Sequence, residues 1–414
     1  MMKRLTGIFL ALVLLCGSLS FAEEAEVQRT EKYWRTVHIE DRGYDIIAMK
    51  KRLVELGYYK STNFSDTYEK KIAPYVQWFQ FFNDIMPTGI LSLSDLALLH
   101  SEEAKPYEKS SASLPPPSER PVLEPSPATS GPMPERDTDG FLAEKGEYYA
   151  EDDEKGEWLY LTDRLQIIIN RCEDPSVPLV WFETEILCKE GEHFSAVENN
   201  PEKPGRTFRR PADIAQTHQF VLGFTDDFYG HRVYRKELIG TVIRNGKILG
   251  DKTYKKDLHY LPNLDVLAEF ADGSLKAYRS TEYTAKEFID MGAVNVFCFG
   301  PVLLQNGVLD QRVLDRRFET KSPRQALGMI EPGHYFLLTV QGRIKESAGV
   351  GLIWMAEHMQ KRGVTEALNL DGGNTVALIF RGRMLNQLAT WKKSSFVRSV
   401  SSLIGLGYSD YVVE

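Results

Sequence analysis

The stretch that decides the fold of the larger part of this chain is Ala367-Leu368-Asn369-Leu370-Asp371-Gly372-Gly373-Asn374-Thr375. An apolar run leads to a carboxylate that is followed directly by two glycines. The run predicts a strand, and the glycines allow a ligand or another backbone to approach its end closely. Asp-Gly also starts many tight hairpins, so two interpretations stand: a hairpin turn, or a binding site that presents Asp371.

The sequence around this stretch, at 158–412, predicts more strands than helices. Short β-rich runs lie at 165–169 and 335–340. Helical patterns lie at 285–291 and 351–362, and each is bounded by residues typical of helix ends. Helices placed between groups of strands indicate an α+β fold around one extended sheet system.

A second, smaller unit is predicted at 37–104. Apolar side chains recur there at helical spacing in three short series that begin at Ile46, Tyr75 and Asp95. We therefore expect a compact unit of three helices.

The segment between these units, 105–157, is predicted to be a linker. Its first part is rich in proline and serine and has almost no periodic apolar pattern, which is typical of extended chain. Its second part, 135–157, is acidic, with Glu151-Asp152-Asp153-Glu154 at the centre. We interpret this acidic part as solvated chain that leads into the larger unit.

The first 22 residues have the order of a secretory signal. Lys3 and Arg4 precede an apolar run at 8–16, and small residues end at Ala22 before two glutamates. We predict cleavage after Ala22 and a secreted, cell-wall or periplasmic location. A retained membrane anchor is the alternative, but the run is shorter than the ~20 apolar residues that a spanning helix needs.

Composition and charge exclude several classes of protein. The chain has 414 residues, 43% of them hydrophobic, and a net charge of -8. Because 1–22 holds two basic residues and no acid, the remainder has a charge of -8 - 2 = -10. This charge argues against a general nucleic-acid or anionic-membrane partner.

No cysteine or histidine spacing is typical of a metal site, so no metal or cofactor is expected. Cys172, Cys188 and Cys298 remain after cleavage, either unpaired or with one bridge.

Residues 37–104 resemble the three-helix peptidoglycan-binding domain of bacterial cell-wall enzymes. The motifs that are similar are Gly43-Tyr44-Asp45, Leu53-x-x-Leu56-Gly57-Tyr58-Tyr59, Phe79-Gln80 with Asn83, and Thr88-Gly89-Ile90-Leu91. Pro74 departs from the pattern at the start of the second helix. The resemblance implies a peptidoglycan or other cell-wall glycan as partner. The alternative is a helical module that binds protein or nothing.

Residues 165–408 resemble the phosphodiester glycosidases, the relatives of the uncovering enzyme that removes N-acetylglucosamine from a phosphodiester. The segments that are similar, in order, are 224–230, 240–246, 299–307, 323–329, Gly342-Arg343 with Ser347 and Gly349, 369–375, and Arg398-Ser399-Val400. The family commonly reads Asp-Gly-Gly-Gly-Ser where this chain has Asn374 and Thr375. It commonly has Asn-Gly where this chain has Thr225-Asp226.

The resemblance and the chemistry together predict a site. Asp371 is the expected nucleophile or general base and Asp227 its possible partner. Arg324 is expected to hold phosphate oxygens, with Arg398 as a second candidate. The substrate-binding residues are expected to be Asn369, Gly372, Gly373, Asn374, Thr375, Ser347 and Arg398. Each residue also has a purely structural alternative. The arginines would form ion pairs, Asp227 would lie in a turn, and Ser347 would cap a helix.

The resulting functional hypothesis is an exported, wall-associated hydrolase of sugar-1-phosphodiesters. The substitutions at Asn374 and Thr225 leave open a non-catalytic protein that binds envelope polysaccharide. A hydrolase of ordinary glycosidic bonds is a third possibility. Retaining and inverting mechanisms cannot be told apart without the separation of the two carboxylates.

Overall fold

The computed structural model describes most of the chain and divides it into two compact units, Met1–Val122 and Leu123–Glu414. The described residues are 37–39, 41–83, 85, 87–107, 130–189, 191–225, 238–252, 264–279, 282–387, 389–391, 394–395, 398–409 and 412. The predicted signal segment at 1–22 and the predicted site residue Asp227 lie outside them. None of the helices in these ranges has the length and apolar character needed to cross a bilayer.

The described part of the first unit contains the three predicted helices. They are α1 (Tyr44–Glu55), α2 (Ala73–Phe82, preceded by a 3-10 turn at Lys70–Ile72) and α3 (Leu93–Leu99). Pro74 stands in the first turn of α2, where its missing N–H costs no helical hydrogen bond. Gln80 is fully buried; its amide accepts from Gly89 N at 2.8 Å and donates to Ile90 O at 2.6 Å. This amide fixes the turn that leads to α3.

The second unit is strand-rich, as the sequence predicts. Its strands are β1 (Glu147–Asp152), β2 (Glu157–Thr162), β3 (Leu165–Asp174), β4 (Leu179–Cys188), β5 (Ser195–Glu198), β6 (Phe220–Phe224), β7 (Gly240–Arg244), β8 (Lys247–Lys252), β9 (Asp265–Phe270), β10 (Leu275–Tyr278), β11 (Ala293–Phe299), β12 (Val302–Gln305), β13 (Val308–Leu309), β14 (Arg324–Glu331), β15 (His334–Val340), β16 (Glu366–Asn369), β17 (Leu378–Phe380), β18 (Arg383–Met384), β19 (Thr390–Trp391), β20 (Ser394–Ser395) and β21 (Ser402–Tyr408).

Three short helices accompany these strands. They are α4 (Pro211–Thr217), α5 (Ala285–Asp290) and α6 (Leu352–Lys361), with 3-10 turns at Gln311–Leu314, Arg316–Phe318 and Gly373–Thr375. The start predicted for the helical pattern at 285–291 is confirmed, since Thr284 and Glu287 form a reciprocal capping box before α5. The α+β class predicted from the sequence is therefore confirmed.

The strands form four antiparallel sheets within the described residues. The largest has nine strands in the order β1-β2-β3-β4-β15-β14-β16-β12-β13; two have five, β10-β9-β11-β7-β8 and β18-β17-β6-β21-β5; the smallest is β19-β20. In the large sheet β16 lies between β14 and β12, so the stretch that ends at Asp371 leaves the sheet from an inner strand.

Both faces of the large sheet are covered. Leu327 and Leu337 pack into the main core together with residues of both five-stranded sheets. Ala326 and Leu338, on the opposite face, pack against α6. This double burial explains why 335–340 is an almost continuous apolar run rather than an alternating one.

The interpretation of 135–157 as solvated chain is wrong. Residues 147–152 form β1, which pairs along its whole length with β2. Arg381 donates to Glu151 at 2.7 Å, and Arg383 donates to Glu151 and to Asp153, each at 2.7 Å. The acidic side chains are thus balanced by arginines about 230 positions further along the chain. The second unit therefore begins well before 158.

Cys172 and Cys188 form no disulfide with each other. They lie on the neighbouring strands β3 and β4 but far apart along them, because Cys172 pairs with Trp181 and Cys188 pairs with Leu165. Cys298 is buried, and its thiol lies 3.3 Å from Ile239 O.

Candidate functional site

The Asp371 loop, residues 371–377, connects two different sheets. After β16 the chain passes through Asp371 and a 3-10 turn at Gly373–Thr375, and then enters β17, which pairs with β6 and β18. The hairpin interpretation of Asp-Gly-Gly is therefore wrong. Asp371 is half-buried at the end of an inner strand, and its Oδ1 accepts from Gly372 N at 2.8 Å.

Close approach of neighbouring groups explains both glycines of the loop. A Cβ on Gly372 would lie 3.0 Å from Pro323 O, the same oxygen that accepts from Gly373 N at 3.0 Å. Gly373 has φ +66°, in the left-handed region, and a Cβ there would lie 3.1 Å from Arg343 Nη1. The loop thus passes between the Pro323 carbonyl and the Arg343 guanidinium, as only glycine allows.

Three guanidinium groups surround the Asp371 loop. Arg324 lies on the Gly372 side, where a Cβ would be 4.0 Å from its Nη1. Arg343 lies against Gly373, and Arg398 Nη1 donates to Thr375 Oγ1 at 3.1 Å. The structure thus brings together three residues that the sequence predicted separately, Asp371, Arg324 and Arg398.

Arg343 was not predicted as a site residue. The sequence did place Gly342-Arg343 within the family resemblance, and Gly342 explains its position. A Cβ on Gly342 would lie 2.6 Å from Pro323 N, so this glycine lets the end of β15 pack against the chain before Arg324. The packing places the guanidinium of Arg343, which donates to Ser322 Oγ at 3.2 Å, beside the loop.

The charges of Arg343 and Asp371 both affect the pKa of Arg324. Burial lowers the pKa of Arg324; the positive charge of Arg343 lowers it further, and the negative charge of Asp371 partly opposes both. Two like charges close together are least costly when an anion lies between them. The electrostatics therefore favour an anionic group beside Asp371.

A fully buried amide connects the Asp371 loop to the end of β6. Gln325 Oε1 accepts from Thr225 N at 2.8 Å, while its Nε2 donates to Thr339 Oγ1 at 2.7 Å and to Ala377 O at 3.0 Å. Thr225 Oγ1 in turn donates to Thr375 O at 2.9 Å and accepts from Ala377 N at 2.8 Å. Thr225, the last described residue before Asp227, is therefore anchored to the loop.

A cavity of about 740 Å³ opens beside Arg324. Asn369 lies in its wall; the side chain is 1% exposed and donates from Nδ2 to Gly300 O at 2.8 Å. Two buried polar atoms of the lining, Asn369 Oδ1 and Arg324 Nε, have no hydrogen-bond partner among the described residues. The predicted binding role of Asn369 stays a prediction.

Two predicted binding side chains point elsewhere. Ser347 is fully buried; its hydroxyl accepts from Val180 N at 3.1 Å and donates to Gln341 O at 2.7 Å. It is neither accessible to substrate nor the cap of α6, which follows Gly351. Asn374 is also buried and donates from Nδ2 to Ala389 O at 2.7 Å. Its side chain is therefore packed inside the protein rather than standing over the loop.

Comparison with known proteins gives a family match for one part of the chain. Residues 219–406 match the model of the phosphodiester glycosidase family. An SPbeta prophage-derived uncharacterized protein, YomE, of Bacillus subtilis (strain 168) is 27% identical over 176 residues, which are 42% of this chain and 26% of that protein. The match therefore spans only about a quarter of the relative's length.

Two solved structures are also similar. The catalytic domain of zebrafish N-acetylglucosamine-1-phosphodiester alpha-N-acetylglucosaminidase, auto-inhibited by its pro-peptide, has 17% identity and a TM-score of 0.46, with 59% of this chain and 83% of that chain covered. A hypothetical protein from Synechocystis has 14% identity and a TM-score of 0.40, with 59% and 62% covered.

Proposed function

Residues 219–406 form a domain of the phosphodiester glycosidase family, and on this basis we propose that the protein hydrolyses a sugar-1-phosphodiester. The observation that supports this most directly is the arrangement of the Asp371 loop. The loop carries a half-buried carboxylate, and the guanidinium groups of Arg324, Arg343 and Arg398 lie near its residues Gly372, Gly373 and Thr375. A carboxylate suits attack at an anomeric carbon, and guanidinium groups suit a phosphate.

The proposed reaction breaks the bond between the anomeric carbon and the phosphate oxygen. Water supplies the oxygen that ends on the sugar, and the phosphate leaves with the bonding electron pair as a monoester. Asp371 acts as nucleophile or as the base that removes the water proton. Because a phosphate needs less protonation than an alkoxide to leave, the main demand is stabilisation of negative charge, which the three arginines meet.

Turnover of a synthetic N-acetylglucosamine-1-phosphodiester by the purified full chain tests this proposal. Free sugar should appear with the wild-type chain, and Asp371→Asn should lower kcat by about a thousandfold or more. Asp290→Asn is the matched control, since Asp290 is an exposed carboxylate on α5. Binding of cell-wall polymers without turnover of any phosphodiester would instead select the non-catalytic alternative.

We further propose a wall-associated location, with export through 1–22 and retention through 37–104. Support comes from aromatic side chains that are only partly covered in the first unit. Tyr59 and Tyr75 have ring centroids 4.9 Å apart, and Trp78 stacks on Phe82 at 5.6 Å. Flat aromatic surfaces of this kind suit a partly hydrated glycan.

Sedimentation with insoluble peptidoglycan tests the retention. The full chain should co-sediment, and Trp78→Ala should reduce the bound fraction. Lys51→Ala, a change at an exposed position of α1, is the control and should leave it unchanged. Equal binding by the wild-type chain and Trp78→Ala would show that this aromatic surface does not bind peptidoglycan.

A further inference from the structure

The cavity beside Arg324 is lined in part by apolar side chains. Its lining includes the apolar side chains of Phe299, Pro301, Leu314 and Phe318 and the polar side chains of Arg324 and Asn369. Its volume of about 740 Å³ lies within the ~300–1,000 Å³ typical of small-molecule sites. Leu314 is 47% exposed although it lines the cavity, so an apolar side chain is presented to whatever enters.

The charges of the lining are mostly balanced inside the protein. Arg312 donates to both oxygens of Asp265, at 3.2 and 2.7 Å, and also to Asp310. Arg317 donates to Asp315 at 3.1 Å. Arg324 differs from these two arginines, because its Nη2 donates to a backbone carbonyl, Thr320 O, at 3.3 Å.

Two buried polar atoms of the lining residues, one acceptor and one donor, have no hydrogen-bond partner among the described residues. The hydrogen bond from Asn369 Nδ2 to Gly300 O fixes the orientation of the amide, so Oδ1 remains as an acceptor. Arg324 Nε remains as a donor. A buried polar atom without a partner is costly, so a ligand with a group that both donates and accepts would be favoured there. Hydroxyl and amide substituents of a sugar have this property.

We infer that this cavity binds the glycosyl group of the substrate, while the phosphate and the rest of the diester lie on the opposite side of Arg324. This inference rests on the proposed function and adds the direction in which the substrate lies, with its sugar in the cavity and its phosphate on the other side of Arg324. The sugar packs between Leu314 and the apolar lining and pairs a hydroxyl or amide with Asn369 Oδ1. The phosphate lies on the side of the loop that Arg343 and Arg398 contact. Arg324 then marks the boundary between the two halves of the substrate.

Binding of the two product types to the full chain tests the direction. The probes are N-acetylglucosamine for the sugar half and glycerol 3-phosphate for the phosphate half, each titrated by NMR. Leu314→Trp should raise the Kd of N-acetylglucosamine by about tenfold or more and change that of glycerol 3-phosphate by less than about twofold. Arg343→Ala should do the reverse.

Arg316→Trp is the matched control. Arg316 is exposed on the same segment as Leu314 but does not line the cavity, so a tryptophan there should leave both Kd values unchanged. Both tryptophan variants replace exposed side chains, and thermal unfolding will show that they remain folded.

The possible outcomes separate this inference from the proposed function. If the wild-type chain hydrolyses the diester but Leu314→Trp weakens only glycerol 3-phosphate, the direction is wrong and the function stands. If N-acetylglucosamine fails to bind the wild-type chain while turnover persists, the cavity is not the sugar site. If neither turnover nor binding of either probe occurs, both proposals fail.

Discussion

Replacing Gln325 by leucine should loosen the Asp371 loop from the end of β6. The amide makes three side-chain hydrogen bonds, to Thr225 N, Thr339 Oγ1 and Ala377 O, and the residue is fully buried. Leucine has a similar volume but makes none of the three bonds. Thr225 N and Ala377 O keep their mutual hydrogen bond of 3.2 Å, so the contact should be weakened rather than abolished.

The expected cost follows from these bonds. Each net hydrogen bond contributes about 1 kcal/mol, which gives a loss of about 3 kcal/mol in the free energy of unfolding. This is a large part of the ~5–15 kcal/mol that stabilises a typical protein. Because the loop holds Asp371, we also expect a lower kcat, with Gln325 acting as a positioning residue.

Urea unfolding of the full chain, extrapolated linearly to water, measures the first effect. Gln360→Leu is the matched control: Gln360 is exposed on α6 and makes one side-chain bond, to Gly307 O at 2.9 Å. That change should cost less than about 0.5 kcal/mol. Equal costs for the two variants would refute the role assigned to the buried amide.

Three further predictions concern charge, pH and the start of the second unit. Arg343→Ala should lower kcat/KM for the diester by about 10- to 100-fold, as expected for loss of a charged hydrogen bond; an unchanged value would remove Arg343 from the site. The hydrogen bond that His193 donates to the Glu269 carboxylate raises the pKa of His193, so the stabilisation from this bond is present below the ordinary histidine pKa and lost as pH rises through the raised value. His193→Gln should therefore lower the free energy of unfolding by about 1 kcal/mol near pH 5 and by much less near pH 9; an equal loss at both values would contradict the linkage. A fragment 158–414 lacks β1 and should be less stable in urea than a fragment 130–414 by about 3 kcal/mol or more, since it lacks the buried side chains of Tyr148 and Tyr149 that pack into the core of the longer fragment; equal midpoints would contradict the pairing of β1 with β2.

Much of the fold was predictable because local signals and tertiary structure agree. The capping box at Thr284 and Glu287 and the glycine after α6 are local features, and both mark the helix ends that the structure has. The acidic stretch around Glu151 was misjudged for the opposite reason. Its partners, Arg381 and Arg383, are distant in sequence, and nothing in the local pattern indicates them.

The site was predictable in part for the same reason. Asp371, with its strand and glycines, forms a local pattern, and Arg324 belongs to a segment of the family resemblance. The role of Arg343 depends on how closely Gly342 packs against Pro323, which is a tertiary contact. Ser347 was wrongly assigned because a serine shortly before a helical pattern is typical of a cap or an exposed binding position, whereas its buried hydroxyl bonds to Val180 and Gln341.

The central claim is that the carboxylate of Asp371 and the three arginines around the Asp371 loop act together to break an anomeric C–O bond. The most direct test is hydrolysis of the sugar-1-phosphodiester in water enriched in oxygen-18, with mass analysis of both products. The account predicts that the label is found in the released sugar and not in the phosphate. Label in the phosphate would show cleavage of the P–O bond, and the protein would then be a phosphodiesterase rather than a glycosidase.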